Sequence, residues 1–278
     1  MTDTVTETAP ANDDARCGKA HGSHIWYELM TPDPLGAKAF YEAVVPGWSV
    51  AERNPGPIDY RMIGRSDGGN AGGVLGMDDG MRAHGAKPLW LGYVAVDDVD
   101  ASIGAVEAKG GTVHMPATDI EGVGRIAMVA DPQGNPFYVM TPRPPEGLEG
   151  GQSDVFSADQ EQSVGWNELS TPDPAAAREF YGALFGWSSE EFMPMGEYGE
   201  YRFFDHDGRR IGALCGVMPG GSAGWRYYIR VPSIAAAADA VTAAGGSISM
   251  GPHEVPGGDH IIIGNDPQDA EFALVGKA

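Results

Sequence analysis

Residues 25–30, IWYELM, alternate apolar and polar positions as a half-buried strand does. A helix pattern follows at once. TPDP at 31–34 offers Asp33 as an N-cap and Pro34 as the first helical residue, and LGAKAFYEAVV keeps helical spacing until Pro46-Gly47 stops it. Clusters of Gly, Pro and Asp then separate short strands expected near 48–53, 59–64 and 72–77. Leu89–Val96 reads as a further strand, Asp98 as a second N-cap, and ASIGAVEAKGG as an amphipathic helix closed by Gly110-Gly111. Strands near 112–115, 124–130 and 136–141 complete the set, with a DPQGN turn between the last two. The same order then returns: strand 164–169, helix 174–185, strands near 188–192, 200–205 and 210–217, strand 225–231, helix 233–244 closed by Gly245-Gly246, and strands to 275.

The residues repeat as well as the pattern. Trp26 aligns with Trp166, Glu28 with Glu168, TPDP with TPDP, and Phe40-Tyr41 with Phe180-Tyr181, at an offset of 140. Tyr60 then pairs with Tyr201, Trp90 with Trp225, Tyr93 with Tyr228, and Asp131-Pro132-Gln133 with Asp266-Pro267-Gln268, where the offset has fallen to 135. A unit this long is a domain rather than a solenoid element. The chain therefore divides into a flexible tail over 1–21, a first domain over 22–143, a Pro- and Gly-rich linker over 144–161, and a second domain over 162–278. The fold class is α+β: four βαβββ modules, two per domain.

Composition narrows the function without naming it. Thirty-nine acidic against 18 basic residues give a net charge of −21, which argues against nucleic acid and anionic membranes as partners. No apolar run approaches the ~20 residues of a membrane span, and the first 20 residues lack the basic and apolar regions of a signal peptide. Cys17 and Cys215 form no disulfide framework. The expectation is a cytoplasmic protein, monomer or homodimer, with a small molecule as its partner.

The order of modules, FY followed by GW after the first helix, VDDVDA at the start of the second, and DPQGNPF before the last strand resembles the vicinal oxygen chelate superfamily. That superfamily holds glyoxalase I, bleomycin-resistance proteins and extradiol dioxygenases, and W-x-E-L at the start of each half is similar to the tandem glyoxalase-like proteins of actinobacteria. The resemblance implies paired modules that form one curved mixed sheet, with helices outside and the site on the concave side. It also implies positions for a metal triad. Counted from the motifs, these hold Trp26, Leu91 and Tyr138 in the first domain and Trp166, Arg226 and Ala273 in the second. None is a ligand of the usual His or Glu type, and an indole nitrogen only donates. The expectation is no metal in the usual position and no cofactor.

Period-two counting puts His24, Trp26 and Glu28 on one strand face, with Tyr93 and Tyr138 opposite; the second domain offers Val164, Trp166, Glu168, Arg226 and Tyr228. The result is an aromatic concavity with one carboxylate, suited to a small apolar or aromatic ligand. The candidate binding residues are His24, Trp26, Tyr93, Tyr138, Trp166, Arg226 and Tyr228, and Arg226 leads us to expect a preference for anions in the second domain. Glu28 and Glu168 are the candidate catalytic acids or bases. They keep open a second reading, a glyoxalase-like lyase, isomerase or dioxygenase-type oxidoreductase, metal-free or with an atypical metal held by His24 and Glu28.

Overall fold

The computed structural model describes residues 21–143 and 153–278. Residues 1–20 of the expected tail, with Cys17, and residues 144–152 of the expected linker lie outside the described residues. The first half runs β1 (His24–Thr31), α1 (Pro34–Val44), β2 (Ser49–Val50), β3 (Tyr60–Gly64) and β4 (Asn70–Gly76), then a short α2 (Asp79–Ala83), β5 (Leu89–Ala95), α3 (Val99–Ala108), β6 (Thr112–Ile120), β7 (Gly124–Ala130) and β8 (Pro136–Pro142). The second half repeats it as β9 (Val164–Thr171), α4 (Pro174–Phe185), β10 (Phe192–Pro194), β11 (Glu200–His206), β12 (Arg209–Gly216), β13 (Gly224–Ser233), α5 (Ile234–Ala243), β14 (Ser247–Glu254), β15 (His260–Asn265) and β16 (Glu271–Lys277). The aspartates of the two TPDP motifs cap their helices: Asp33 accepts from the Gly36 amide and Asp173 from the Ala176 amide. α2 is an addition that the sequence pattern did not show.

Each half forms one eight-stranded mixed sheet, in the orders β2-β3-β4-β1-β5-β8-β7-β6 and β10-β11-β12-β9-β13-β16-β15-β14. The two modules of a half meet where β1 runs antiparallel to β5, and β9 to β13. The long helices α1, α3, α4 and α5 cover one face of each sheet; the other, helix-free face carries none of them, and in the first half only Met81 of the short α2 packs against it.

The helix-bearing faces of the two sheets pack against each other, and they exchange helices. Phe40, Tyr41 and Val44 of α1 share a core with Ile229, Ile262, Phe272 and Leu274 of the second half. Phe180, Tyr181 and Phe185 of α4 share one with Val94, Phe137 and Val139 of the first half. Two polar relays cross the interface in the same way. Trp90 Nε1 donates to Tyr41 Oη at 3.0 Å, and Tyr41 to the Asp266 carboxylate at 3.1 Å. Trp225 Nε1 donates to Tyr181 Oη at 3.0 Å, and Tyr181 to Asp131 at 3.0 Å. The other oxygen of each aspartate holds its own turn, Asp131 through the Gln133 and Asn135 amides and Asp266 through those of Gln268 and Ala270. Burial pushes the Asp266 carboxyl up. The DPQ turns are therefore docking points between halves as well as turns. Closer to the centre, Tyr27 Oη donates to Asn167 Oδ1 at 2.7 Å, and the Gly92 amide donates to Tyr227 Oη at 2.8 Å.

The segment read as a polar linker is built into this fold at its later end. Val155 is buried in the shared core, Phe156 bridges to Val164, the Ser153 hydroxyl donates to the Ile25 carbonyl, and Asp154 pairs with Arg65.

Candidate functional site

On the helix-free face of the first half, strand register sets Trp26 beside Tyr93, Tyr93 beside Tyr138, and Glu28 between Leu91 and Gly73. Tyr93 and Tyr138 stack with centroids 4.2 Å apart. Tyr93 Oη donates to Glu28 Oε2 at 2.8 Å, and Trp26 Nε1 donates to Tyr60 Oη at 2.7 Å. Tyr60 Oη lies beside the Glu28 carboxyl. Gly73 makes that approach possible, because a Cβ there would lie 2.2 Å from Tyr60 Oη. Around this polar knot lie Met30, Met77, Met81, Met115, Met128 and Met140, half of the chain's 12 methionines. Thioether side chains are flexible and polarizable, so this wall can repack around an apolar guest.

Glu28 is buried, and its Oε1 has no hydrogen-bond partner among the described residues. Desolvation raises its carboxyl to about 7, against the lowering effect of the neighbouring Tyr93 and Tyr60 hydroxyls. Burial pushes the Tyr60, Tyr93 and Tyr138 phenols up, so all three stay neutral donors.

The second half keeps the framework and changes one charge. Trp166 Nε1 donates to Tyr201 Oη at 2.8 Å, and Tyr201 donates to Glu168 Oε2 at 2.7 Å. Glu168 Oε1 accepts from Arg226 Nη1 at 2.8 Å and from Tyr228 Oη at 3.1 Å. Arg226 occupies the register position of Leu91. Burial alone would lower its guanidinium, but Tyr228, Glu168 and Glu271 outweigh burial and push it up. Nε reaches Glu271 Oε1 at 2.9 Å and Nη2 reaches Ser222 Oγ at 3.4 Å. The expected preference for anions does not follow from this geometry, because the guanidinium is already shared by two carboxylates. Arg230, on the same strand, pairs with Asp259 at 2.8 Å.

His24 is the clear departure from period-two counting. A register shift between His24 and Trp26 turns its side chain to the helix-bearing face. There its ring stacks on Trp187 at 5.3 Å and meets Trp225 edge-on, within the aromatic cluster between the halves. His24 and Glu28 therefore do not share a face, and an atypical metal site built from that pair is excluded by direction. Val164, expected beside Trp166, likewise packs in the shared core. Glu271 and Ser222 were missed because neither has a counterpart in the first half; Pro136 stands where Glu271 would repeat. Tyr60 and Tyr201 carried a signal in their repetition, and the structure shows that they, rather than Arg61 and Arg202, turn toward the glutamates.

The usual metal of this architecture does not fit these residues. The triad positions hold Trp26, Leu91 and Tyr138, and Trp166, Arg226 and Ala273. Among the described residues no three His, Cys, Asp or Glu side chains are grouped to hold an ion. Among the described residues Glu28 is the single carboxylate of the first-half cluster, and Arg226 would repel a cation in the second.

This architecture, two halves each with a helix-free face built from paired modules, is that of a known family. The chain belongs to the Glyoxalase/Bleomycin resistance protein/Dioxygenase superfamily, whose model matches residues 24–139 and again 163–274. The relatives it resembles include CFP32 of Mycobacterium tuberculosis (strain CDC 1551 / Oshkosh), named a provisional glyoxylase, at 30% identity over 92% of this chain and 95% of that protein. The anthracycline biosynthesis protein DauV of Streptomyces sp. (strain C5) is also 30% identical, over 92% of this chain and 94% of its own length. Among solved structures, the Mn(II)-bound glyoxalase from Novosphingobium aromaticivorans superposes with a TM-score of 0.62 at 17% identity, covering 92% of this chain and 83% of that one. The 2,3-dioxygenase LapB from Pseudomonas sp. KL28 gives 0.58 at 15% identity, covering 93% of each chain. These two likenesses concern the fold. Among the described residues no helix is long and apolar enough to cross a membrane.

Proposed function

We propose that this chain binds a small, largely apolar or aromatic metabolite on the helix-free face of its first half, without the divalent ion of its metal-using relatives. The observation that carries this reading is Glu28: a buried carboxyl with one oxygen unpartnered, beneath Trp26, Tyr60, Tyr93 and Tyr138. Buried polar atoms find partners as a rule, so an orphan on a face lined by adaptable side chains marks a place for a guest atom. The counterpart in the second half, Trp166, Glu168, Arg226 and Tyr228, satisfies itself and serves as a structural copy. The relative named for anthracycline biosynthesis supports a flat aromatic ligand class.

A second reading, catalysis, is favoured by one observation. Desolvation pushes the Glu28 carboxyl up to about 7, in the range where a general base both holds and releases a proton at neutral pH. In that reading Glu28 would take a proton from a bound metabolite, and Glu168, engaged by Arg226, would not take part.

Calorimetric titration of the full chain with 2-naphthol tests the binding proposal. Saturable binding at one site, lost in Trp26→Ala and kept in Trp166→Ala, is expected. Absence of saturable binding, or equal losses in the two variants, would reject it.

A further inference from the structure

The two halves place the same aromatic side chains around their glutamates and differ in whether a cation reaches the carboxylate. In the second half, Tyr201 bonds one oxygen of Glu168, and Arg226 with Tyr228 bonds the other. In the first half, Tyr93, the counterpart of Tyr228, bonds Glu28 Oε2, Oε1 has no hydrogen-bond partner, and no cation among the described residues pairs with the carboxylate. Leu91 stands where Arg226 stands and has no donor to offer. The rest of the frame is retained: Trp26 for Trp166, Tyr60 for Tyr201, Tyr93 for Tyr228. The protein thus carries, in its second half, a tethered example of what such a glutamate accepts.

We infer that the first-half site takes an organic cation that donates N–H, a protonated amine, amidine or guanidine on a flat or apolar body, and that it pairs with the Glu28 carboxylate as Arg226 pairs with Glu168. The inference rests on the proposed binding function and adds the charge of the ligand.

Three further observations agree. Four aromatic side chains, Trp26, Tyr60, Tyr93 and Tyr138, are grouped with Glu28, and the faces of such rings attract cations. Arg61, adjacent to Tyr60 in sequence, is engaged by Asp59 at 2.9 Å and leaves the charge of Glu28 uncompensated. A net charge of −21 draws cations and repels anions at long range. Burial of a lone carboxylate is unfavourable, and a cation with a matching N–H relieves it, as Arg226 does on the other side. A carboxyl poised near neutrality gives up its proton readily when such a cation arrives.

The test uses the full chain at pH 8 and three isosteric probes: benzamidine, benzamide and benzoate, with 2-naphthol as the reference for an apolar site. Benzamidine is expected to bind at one site, at least about 10-fold tighter than benzamide, the usual scale for a charge-assisted hydrogen bond; benzoate should bind weakest. Glu28→Gln should remove that advantage. Leu91→Arg supplies a tethered guanidinium and should abolish benzamidine binding. Arg226→Leu empties the second glutamate and should raise the stoichiometry from one to two, which keeps the test decisive even if a buried arginine at 91 prevents folding. Benzamidine affinity should rise about 10-fold per pH unit below 7 and level off above it, because only ionised Glu28 accepts the charge. Benzamide binding as tightly as benzamidine, indifference to Glu28→Gln, or a single site in Arg226→Leu, with 2-naphthol still bound, would overturn the cation inference and leave the apolar site standing. Loss of every probe, 2-naphthol included, would overturn both.

Discussion

The two helix-free faces differ chiefly in the residue that faces the glutamate. Leu91 leaves Glu28 uncompensated, and desolvation carries its carboxyl to about 7. Arg226 gives Glu168 a partner at 2.8 Å and brings Glu271 in as well. The frame of Trp and Tyr is repeated in both, so the frame does not decide whether the carboxylate has a cationic partner; the neighbour across the strand does. One half has become a salt-bridged wall, and the other keeps an unanswered acid.

The largest effect should come from breaking the compensated half. Glu168→Gln leaves the buried Arg226 with Glu271 alone and should cost about 3 kcal/mol, read from urea unfolding at pH 8. Glu28→Gln under the same conditions should not destabilise; equal losses would erase the distinction between the halves. Next is the pH dependence of Glu28. Its folded value lies above the unfolded one, so the folded state holds the proton longer and stability falls as pH rises from about 4.5 through about 7. The loss is roughly 3 kcal/mol at full shift, taken as the difference of the two values at about 1.4 kcal/mol per unit. The unfolding free energy of Glu28→Gln minus that of the parent should therefore grow across this window, and a flat difference would sink the assignment.

A smaller effect is expected at the contact between halves. A Cβ at Gly92 would lie 2.8 Å from Tyr227 Oη, so Gly92→Ala should cost about 2 kcal/mol through overpacking, and Tyr227→Phe should recover part of it in the double variant. The smallest concerns the crossed relays. Tyr41→Phe and Tyr181→Phe each remove one hydroxyl between a tryptophan and an aspartate of the other half. Each should cost about 1 kcal/mol. A large inequality between them would show that the halves are joined less symmetrically than the hydrogen bonds indicate.

Much of this was legible in the residues because it is local. The caps at Asp33 and Asp173, the helix over 174–185 and the strand at 124–130 follow from short-range pattern, and they lie where the pattern puts them. β6 runs on to Ile120, well past the expected 112–115, because its later residues are largely exposed and carry little apolar signal. Trp26, Glu28 and Tyr93 do meet on one face, because period-two counting holds where the ladder is regular. His24 was misplaced because one irregularity in β1 reverses every direction before it, and nothing in HIW announces it. The roles of Tyr41, Trp90 and Asp131 were written as repetition but not as contact. Each finds its polar partner in the opposite copy, and comparing copies reveals what recurs without revealing which recurrence touches which.

Tyr27 bonds Asn167 across a separation of 140 residues, and Gly92 bonds Tyr227 across 135, the two offsets of the internal repeat. Each residue is thus in contact with its own counterpart, which locates the axis relating the halves. In an assembly of two identical chains a residue on such an axis must face itself and be compatible with itself. Tyrosine against asparagine and glycine against tyrosine are combinations open only to unequal partners. Joining the copies in one chain therefore removed the requirement of self-compatibility at the centre. Each half is then free to drift to a different chemistry while remaining a match for the other.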